Sequence, residues 1–295
     1  MQYTQKIIQF NSVGETLAAD LYVPQTDEQP PVIIMANGFA CERCFSLPDV
    51  AAELASNGFA VVLFDYRGFA ESTGEPRELV SPSHHLTDWR NVIQQVRTWQ
   101  HVDLTRLFLW GVSFSGGHVL TLAAELTGIR AIIAVVPHVD GLASAMRYPT
   151  KYFFSALKLS LQDLWHLKTG QPPVRIPVVS KDGVACLAGE DNYHAFMQTV
   201  PASSNWSGAV PARIMLDINR YRPITTAHKV KCPVLLLAAE NDRLIPFQSI
   251  QKTVKKLANV QFFYFPMTHF DPVNKNSPFF TQVMQHQIDF LSSQT

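Results

Sequence analysis

A few side chains in this sequence have the types and spacing for nucleophilic chemistry, and Ser113 is the first of them. It stands in Gly111-Val-Ser-Phe-Ser115, followed by Gly116, Gly117 and His118. Residues 107–110 before it are all apolar, as in a strand covered on both faces, and residues 119–126 after it are good helix formers. Gly111, Gly116 and Gly117 leave room for a tight strand-to-helix turn. Such a turn lifts its apical hydroxyl clear of the sheet. It also aims the next amide, that of Phe114, at the helix N-terminus, where an oxyanion can be held. The usual pattern is Gly-x-Ser-x-Gly. Here serine replaces the last glycine, a mild change because serine is also small.

A serine hydroxyl is a weak nucleophile. It needs a base within hydrogen-bond reach, and the base needs an orienting carboxylate. In a turn-after-strand architecture these follow in the chain order serine, acid, histidine, on loops after later strands. The apolar run 233–238 leads into Ala239-Glu-Asn-Asp242-Arg-Leu-Ile-Pro246, and the run 260–265 leads into Pro266-Met-Thr-His269-Phe-Asp-Pro272. Asp242 and His269 fall where that chemistry requires them. Glu240 rivals Asp242 as the acid and sits nearer its strand. An oxyanion also needs a second amide donor. Asn37-Gly38-Phe39 follows the apolar run 32–35, Gly38 allows close approach, and the Phe39 N–H is the candidate donor.

The elements that must position these groups can be read from the hydrophobic pattern. Residues 6–10 and 17–23 read as an antiparallel hairpin. Apolar strands are then expected over 32–35, 60–66, 107–110 and 129–136. They alternate with helices over 48–57, 86–100 and 116–127. This βαβ alternation means a mostly parallel, doubly wound sheet with right-handed crossovers. From about 140 to 226 the repeat breaks, with one clear helical stretch at 152–166. That segment reads as an inserted lid over a core made of residues 1–139 and 227–295. Strands at 233–238 and 260–265 and helices at 246–257 and 278–291 complete the core.

The chain has 295 residues, 47% of them hydrophobic, which supplies a sizeable core. Its formal charge is zero, so no global basic field is present to attract nucleic acid or an anionic membrane. No stretch approaches a membrane span, and the N-terminus lacks the pattern of a secretion signal. Four cysteines in a chain this long are not a disulfide scaffold. The expectation is a cytoplasmic protein acting on a small molecule, with room for a homo-oligomer.

Taken together, Asn37-Gly-Phe39, Phe64-Asp-Tyr-Arg-Gly-Phe69, Gly111-Val-Ser-Phe-Ser115, Asp242-Arg-Leu-Ile-Pro246 and His269-Phe-Asp-Pro272 resemble the α/β-hydrolase superfamily across nearly the whole chain. More narrowly, Trp110 to Leu120 and Asp65-Tyr-Arg-Gly-Phe look like a dienelactone-hydrolase-like group. That group includes bacterial serine hydrolases and fungal hydrolases or acyltransferases of polyketide products. The resemblance implies an α/β-hydrolase fold with Ser113 as nucleophile, Asp242 as acid and His269 as base, and no cofactor. Two departures stand out. Asn37 occupies the place where the superfamily usually has histidine. The nucleophile is serine where true dienelactone hydrolases use cysteine, so their substrate is not carried over.

The reaction class expected is hydrolysis of a carboxylic ester or thioester through an acyl-enzyme. Acyl transfer to an alcohol or amine is the alternative, and a peptidase or a non-catalytic binding protein stands behind it. Asn37, Gly38 and His138 are expected beside the substrate, His138 because it follows the strand at 129–136. No metal is expected. Cys41-Glu-Arg-Cys44 lacks two further ligands for zinc and reads as two free thiols near the pocket. His84 and His85 read as surface residues at a helix start. The aromatic residues of 140–226 suit a lid over an apolar acyl pocket.

Overall fold

The computed structural model describes residues 1–294. The chain opens with a hairpin, β1 (Tyr3–Ser12) against β2 (Glu15–Pro24). Val13 and Gly14 at its tip both take positive φ, as a tight two-residue turn demands. Then follow β3 (Pro31–Ala36), α1 (Leu47–Ser56), β4 (Ala60–Phe64), α2 (Pro82–Val96), β5 (Asp103–Val112), α3 (Phe114–Glu125) and β6 (Ala131–Val135). After a long excursion come β11 (Val234–Ala239), α8 (Phe247–Val254), β12 (Val260–Phe265) and α9 (Phe280–Ser293).

Eight strands form one sheet in the order β1-β2-β4-β3-β5-β6-β11-β12. β1 and β2 are antiparallel to their neighbours, and the other pairings are parallel. The central strands are buried along their whole length, so alternate side chains feed two separate cores. Ile33 and Met35 of β3 join α1 and α9 on one face; Val32 and Ile34 join α2, α3 and α8 on the other. The sheet is the expected one, with helices on both faces.

α2 lies about a turn earlier than its hydrophobic stripe suggested, starting at Pro82. This shift places His85 inside the protein, stacked on Tyr66 with ring centroids 3.8 Å apart. His85 is therefore a core residue, against the surface reading; His84 is exposed as expected.

Between β6 and β11 the chain builds short pieces outside the main sheet: α4 (Gly141–Ala145), α5 (Thr150–Thr169), β7 (Arg175–Pro177), β8 (Val179–Ser180), β9 (Leu187–Ala188), α6 (Glu190–Met197), β10 (Ala209–Pro211) and α7 (Ile214–Asp217). Ala156, Ile176, Phe196, Val210 and Ile214 from these pieces belong to the same core cluster as α2 and α3. The segment thus packs continuously onto the main body. Asp163 of α5 is its internal anchor. The buried carboxylate accepts hydrogen bonds from the amides of Val174 and Arg213 and from the Arg213 guanidinium.

Candidate active site

Ser113 sits at the junction of β5 and α3 with φ 55° and ψ −116°. A non-glycine residue holds such a conformation only where its surroundings enforce it. Gly111 is part of that enforcement: a Cβ there would lie 2.3 Å from the Ser115 carbonyl oxygen. The turn is so tight that no side chain fits inside it. The serine at position 115 has its own reason. Its hydroxyl is buried and hydrogen-bonds the Tyr66 hydroxyl, which also accepts from Trp89 Nε1 at 2.9 Å.

Ser113 Oγ lies 2.9 Å from His269 Nε2, and His269 Nδ1 lies 2.6 Å from Asp242 Oδ2. All three belong to loops or turns at the carboxyl ends of strands: β5, β12 and β11. The second carboxylate oxygen of Asp242 accepts from the amides of Leu244 and Ile245, at 2.7 and 2.8 Å. These two bonds satisfy a buried carboxylate and fix its rotamer, so the imidazole between Asp242 and Ser113 has one orientation. Asp242, not Glu240, meets His269; Glu240 is exposed.

The loop after β3 comes directly against Ser113. A Cβ on Gly38 would stand 3.0 Å from Ser113 Cβ and 3.5 Å from its Oγ. Asn37 holds this loop in shape: its amide donates to the carbonyls of Glu42 and Phe45, and its Oδ1 accepts from Gly38 N. The polar atoms of Asn37 are thus engaged with its own loop although the residue borders the cavity. Arg43 ties the loop down further, donating its amide and guanidinium to Asp65 at the end of β4 and its Nε to Asp20. Among the described residues no acceptor meets the amides of Phe39 or Phe114. Their rings pack edge to face at 5.6 Å.

These groups open onto a cavity of about 450 Å³. Its wall is mainly apolar, with Phe39, Phe45, Phe114, Phe153, Leu157 and Phe196 among its residues, and it reaches into the segment between β6 and β11. Cys41 borders it, whereas Cys44 is exposed; all four cysteines are free. Desolvation pushes the Cys41 thiol above its ordinary range, which favours its protonated form near neutrality.

His138 also borders the cavity, and its amide donates to the Ser113 carbonyl at 2.8 Å. Burial pushes this imidazole down to about 4; Asp140 opposes the shift and His269 adds to it. His138 is therefore neutral beside Ser113. Its Nε2 is sealed from solvent and has no hydrogen-bond partner among the described residues.

Sequence reasoning missed what lies behind the serine turn. His118 of α3 sets its Nδ1 2.6 Å from the Tyr221 hydroxyl and its Nε2 3.3 Å from His85 Nδ1. Tyr221 comes from the far end of the excursion, so this contact joins that segment to the helix carrying Ser113. The clue was present in Tyr66 and in the serine at 115, both quoted as motif residues, but their pairing needed the fold. Among the described residues no cluster of three or more His, Cys, Asp or Glu stands ready to hold a metal ion.

The eight-stranded, mostly parallel sheet with a strained serine at the end of its central strand defines the α/β-hydrolase class, and the protein is an enzyme of that class. Residues 27–269 match the family described as "Serine aminopeptidase, S33", and the chain belongs to it. The quorum-quenching protein AidA of Acinetobacter baumannii is 32% identical over 285 residues, covering 96% of this chain and 93% of its own. The thiohydrolase aneE of Aspergillus aculeatus is 26% identical, over 83% of this chain and 79% of its own. Among solved structures, the α/β hydrolase GrgF from Penicillium shares the fold with a TM-score of 0.82, at 21% identity and 99% coverage of both chains.

Proposed function

We propose that this enzyme cleaves a carboxylic ester or thioester with an apolar acyl group, through an acyl-enzyme on Ser113. The observation that carries the reading is the continuous hydrogen-bonded line from Ser113 Oγ through His269 to Asp242. His269 Nε2 takes the hydroxyl proton as Ser113 Oγ attacks the substrate carbonyl. Asp242 orients the ring and stabilises the imidazolium. The amides of Phe39 and Phe114 receive the oxyanion; neither meets another acceptor among the described residues, Phe114 follows the serine directly, and Gly38 beside Phe39 lies against it. The imidazolium then protonates the leaving alkoxide or thiolate, and water activated by the same ring releases the acid.

Residues 140–226 serve as the lid over the core formed by 1–139 and 227–295, since Phe153, Leu157 and Phe196 from this segment wall the cavity. Asn37 acts as a brace for the oxyanion loop, and Gly38 and His138 shape the space beside the reacting carbonyl. An aminopeptidase needs a carboxylate to hold the substrate's ammonium group. No Asp or Glu stands among the described residues bordering the cavity, which disfavours a substrate with a free ammonium group. The free cysteines fit a reducing, cytoplasmic setting.

The test is hydrolysis of a p-nitrophenyl ester series, acetate to decanoate, by wild type and Ser113→Ala. The wild type is expected to peak at a medium chain length that fills about 450 Å³. Ser113→Ala is expected to lose activity by about 10⁴ to 10⁶-fold. A Ser113→Ala variant of undiminished activity would overturn the mechanism. Product analysis with added alcohol separates the runner-up: ester formation in place of free acid would make the enzyme an acyltransferase.

A further inference from the structure

The outer face of α5 is unlike the rest of the surface. Phe154 is 79% exposed, Trp165 64% and Leu161 53%, and each lies on this one helix. At about 100° per residue, these three fall within about 20° of a single line down the helix. Lys158 and Lys168 flank that line on either side, within about 40° of it, and both are exposed. The one acidic residue of α5, Asp163, points the opposite way and is buried on Arg213. Among α5's own residues the face is therefore apolar with cationic flanks, over a helix of 20 residues.

A second observation concerns position. Phe154, Leu157, Leu161 and Trp165 line a shallow groove along this face, and Leu157 also borders the active-site cavity. One side of α5 walls the acyl pocket while the adjoining side is the exposed stripe.

We propose that this face of α5 seats the enzyme on an anionic lipid surface. Phenylalanine, tryptophan and leucine would enter the boundary between headgroups and acyl chains, and lysines beside them would keep their ammonium groups at the phosphates. The charge pattern is what selects this occupant. Pairing two copies through α5 would set lysines against lysines on a face with no acid of its own to answer them. A lipid surface supplies anions and accepts exposed apolar side chains without needing a shaped partner. Docked so, the pocket wall lies beside the acyl layer. That use rests on the acyl-substrate reading; the docking itself does not.

The experiment is co-sedimentation of the full chain with vesicles of phosphatidylcholine alone, or of phosphatidylcholine mixed with phosphatidylglycerol. Wild type is expected to pellet with the mixed vesicles at least about tenfold more strongly than with phosphatidylcholine alone. Salt of about 0.5 M, which shortens the screening length to a few ångströms, is expected to erase most of that difference. Phe154→Ser combined with Trp165→Ser is expected to abolish pelleting. Lys158→Glu and Lys168→Glu are each expected to weaken it at least about fivefold. Thermal melts of the variants show that each still folds. Ser113→Ala is expected to pellet like wild type, so failure of the hydrolase reading leaves this result legible.

Wild type that stays in the supernatant with both vesicle types overturns the proposal. So does pelleting that ignores all four substitutions. Sedimentation velocity supplies a third outcome: a wild-type dimer that Trp165→Ser turns into a monomer would assign the face to a second copy, and the lipid reading would be wrong.

Discussion

At φ 55° Ser113 pays conformational energy that its neighbours must supply. The supply is visible: Gly111 clears the inside of the turn, and the Ser113 amide donates to the Val135 carbonyl at 2.9 Å. Asp242 and Glu240 illustrate how narrowly a site is drawn. They stand two residues apart on one loop, yet only Asp242 is buried, bonded to His269 and held by two amides. On the proposed mechanism Asp242→Ala lowers kcat by about 10⁴-fold, whereas Glu240→Ala leaves it within about twofold. Steady-state hydrolysis of one p-nitrophenyl ester decides it, and the reverse pattern would move the acid to Glu240. The sequence reading chose Asp242 but kept Glu240 as a rival, because loop residues carry no periodicity from which to read an inward direction.

Among the elements, α5 depends on one ion pair. Asp163 has no exposed side-chain surface, and the Arg213 side chain beside it is 10% exposed. Removing one partner strands a buried charge, so Asp163→Ala is expected to cost about 3–5 kcal/mol, measured as a shift in the urea midpoint. Replacing both residues by leucine is expected to cost less, because no charge is then left unpaired. A single variant with an unchanged midpoint would mean the excursion is held by its apolar contacts alone. This pair was not legible in the sequence. Asp163 and Arg213 are 50 residues apart in a segment without a repeating pattern, whereas α5 itself was, since 152–166 carries helical spacing.

The whole molecule keeps three imidazoles uncharged in its interior. Burial pushes His85 down to about 3 and His138 to about 4, and holds His118 well below the ordinary 6.5. In the unfolded chain each takes up a proton near 6.5, so between the folded and unfolded values the unfolded state binds more protons. Stability from these groups is full above about pH 6.5 and is lost as pH falls toward 4, with a slope of up to about 1.4 kcal/mol per pH unit for each histidine. Urea midpoints taken at pH 8, 7, 6 and 5 are expected to be level at first and then to drop. Asp65, pushed up to about 7 by burial, works the other way with the slope of one group against three, so a midpoint that rises as pH falls from 7 to 5 would overturn this account.

The order of strands and helices, the serine turn, and the positions of Asp242 and His269 after their strands could all be read from the chain alone. Each depends on short-range rules: apolar period, small residues at a tight turn, and connection order. Other features were decided by tertiary packing. His85 moved from an expected surface to the core because α2 began a turn earlier and Tyr66 offered a ring to stack on. Asn37 came to brace the loop it sits in, with carbonyls five and eight residues away as partners. The excursion from 140 to 226 came to line the cavity and to meet the serine-bearing helix through contacts such as Tyr221 with His118, 103 residues apart. Such contacts follow from which surfaces fit once the sheet has formed, and no local pattern in the chain encodes that fit.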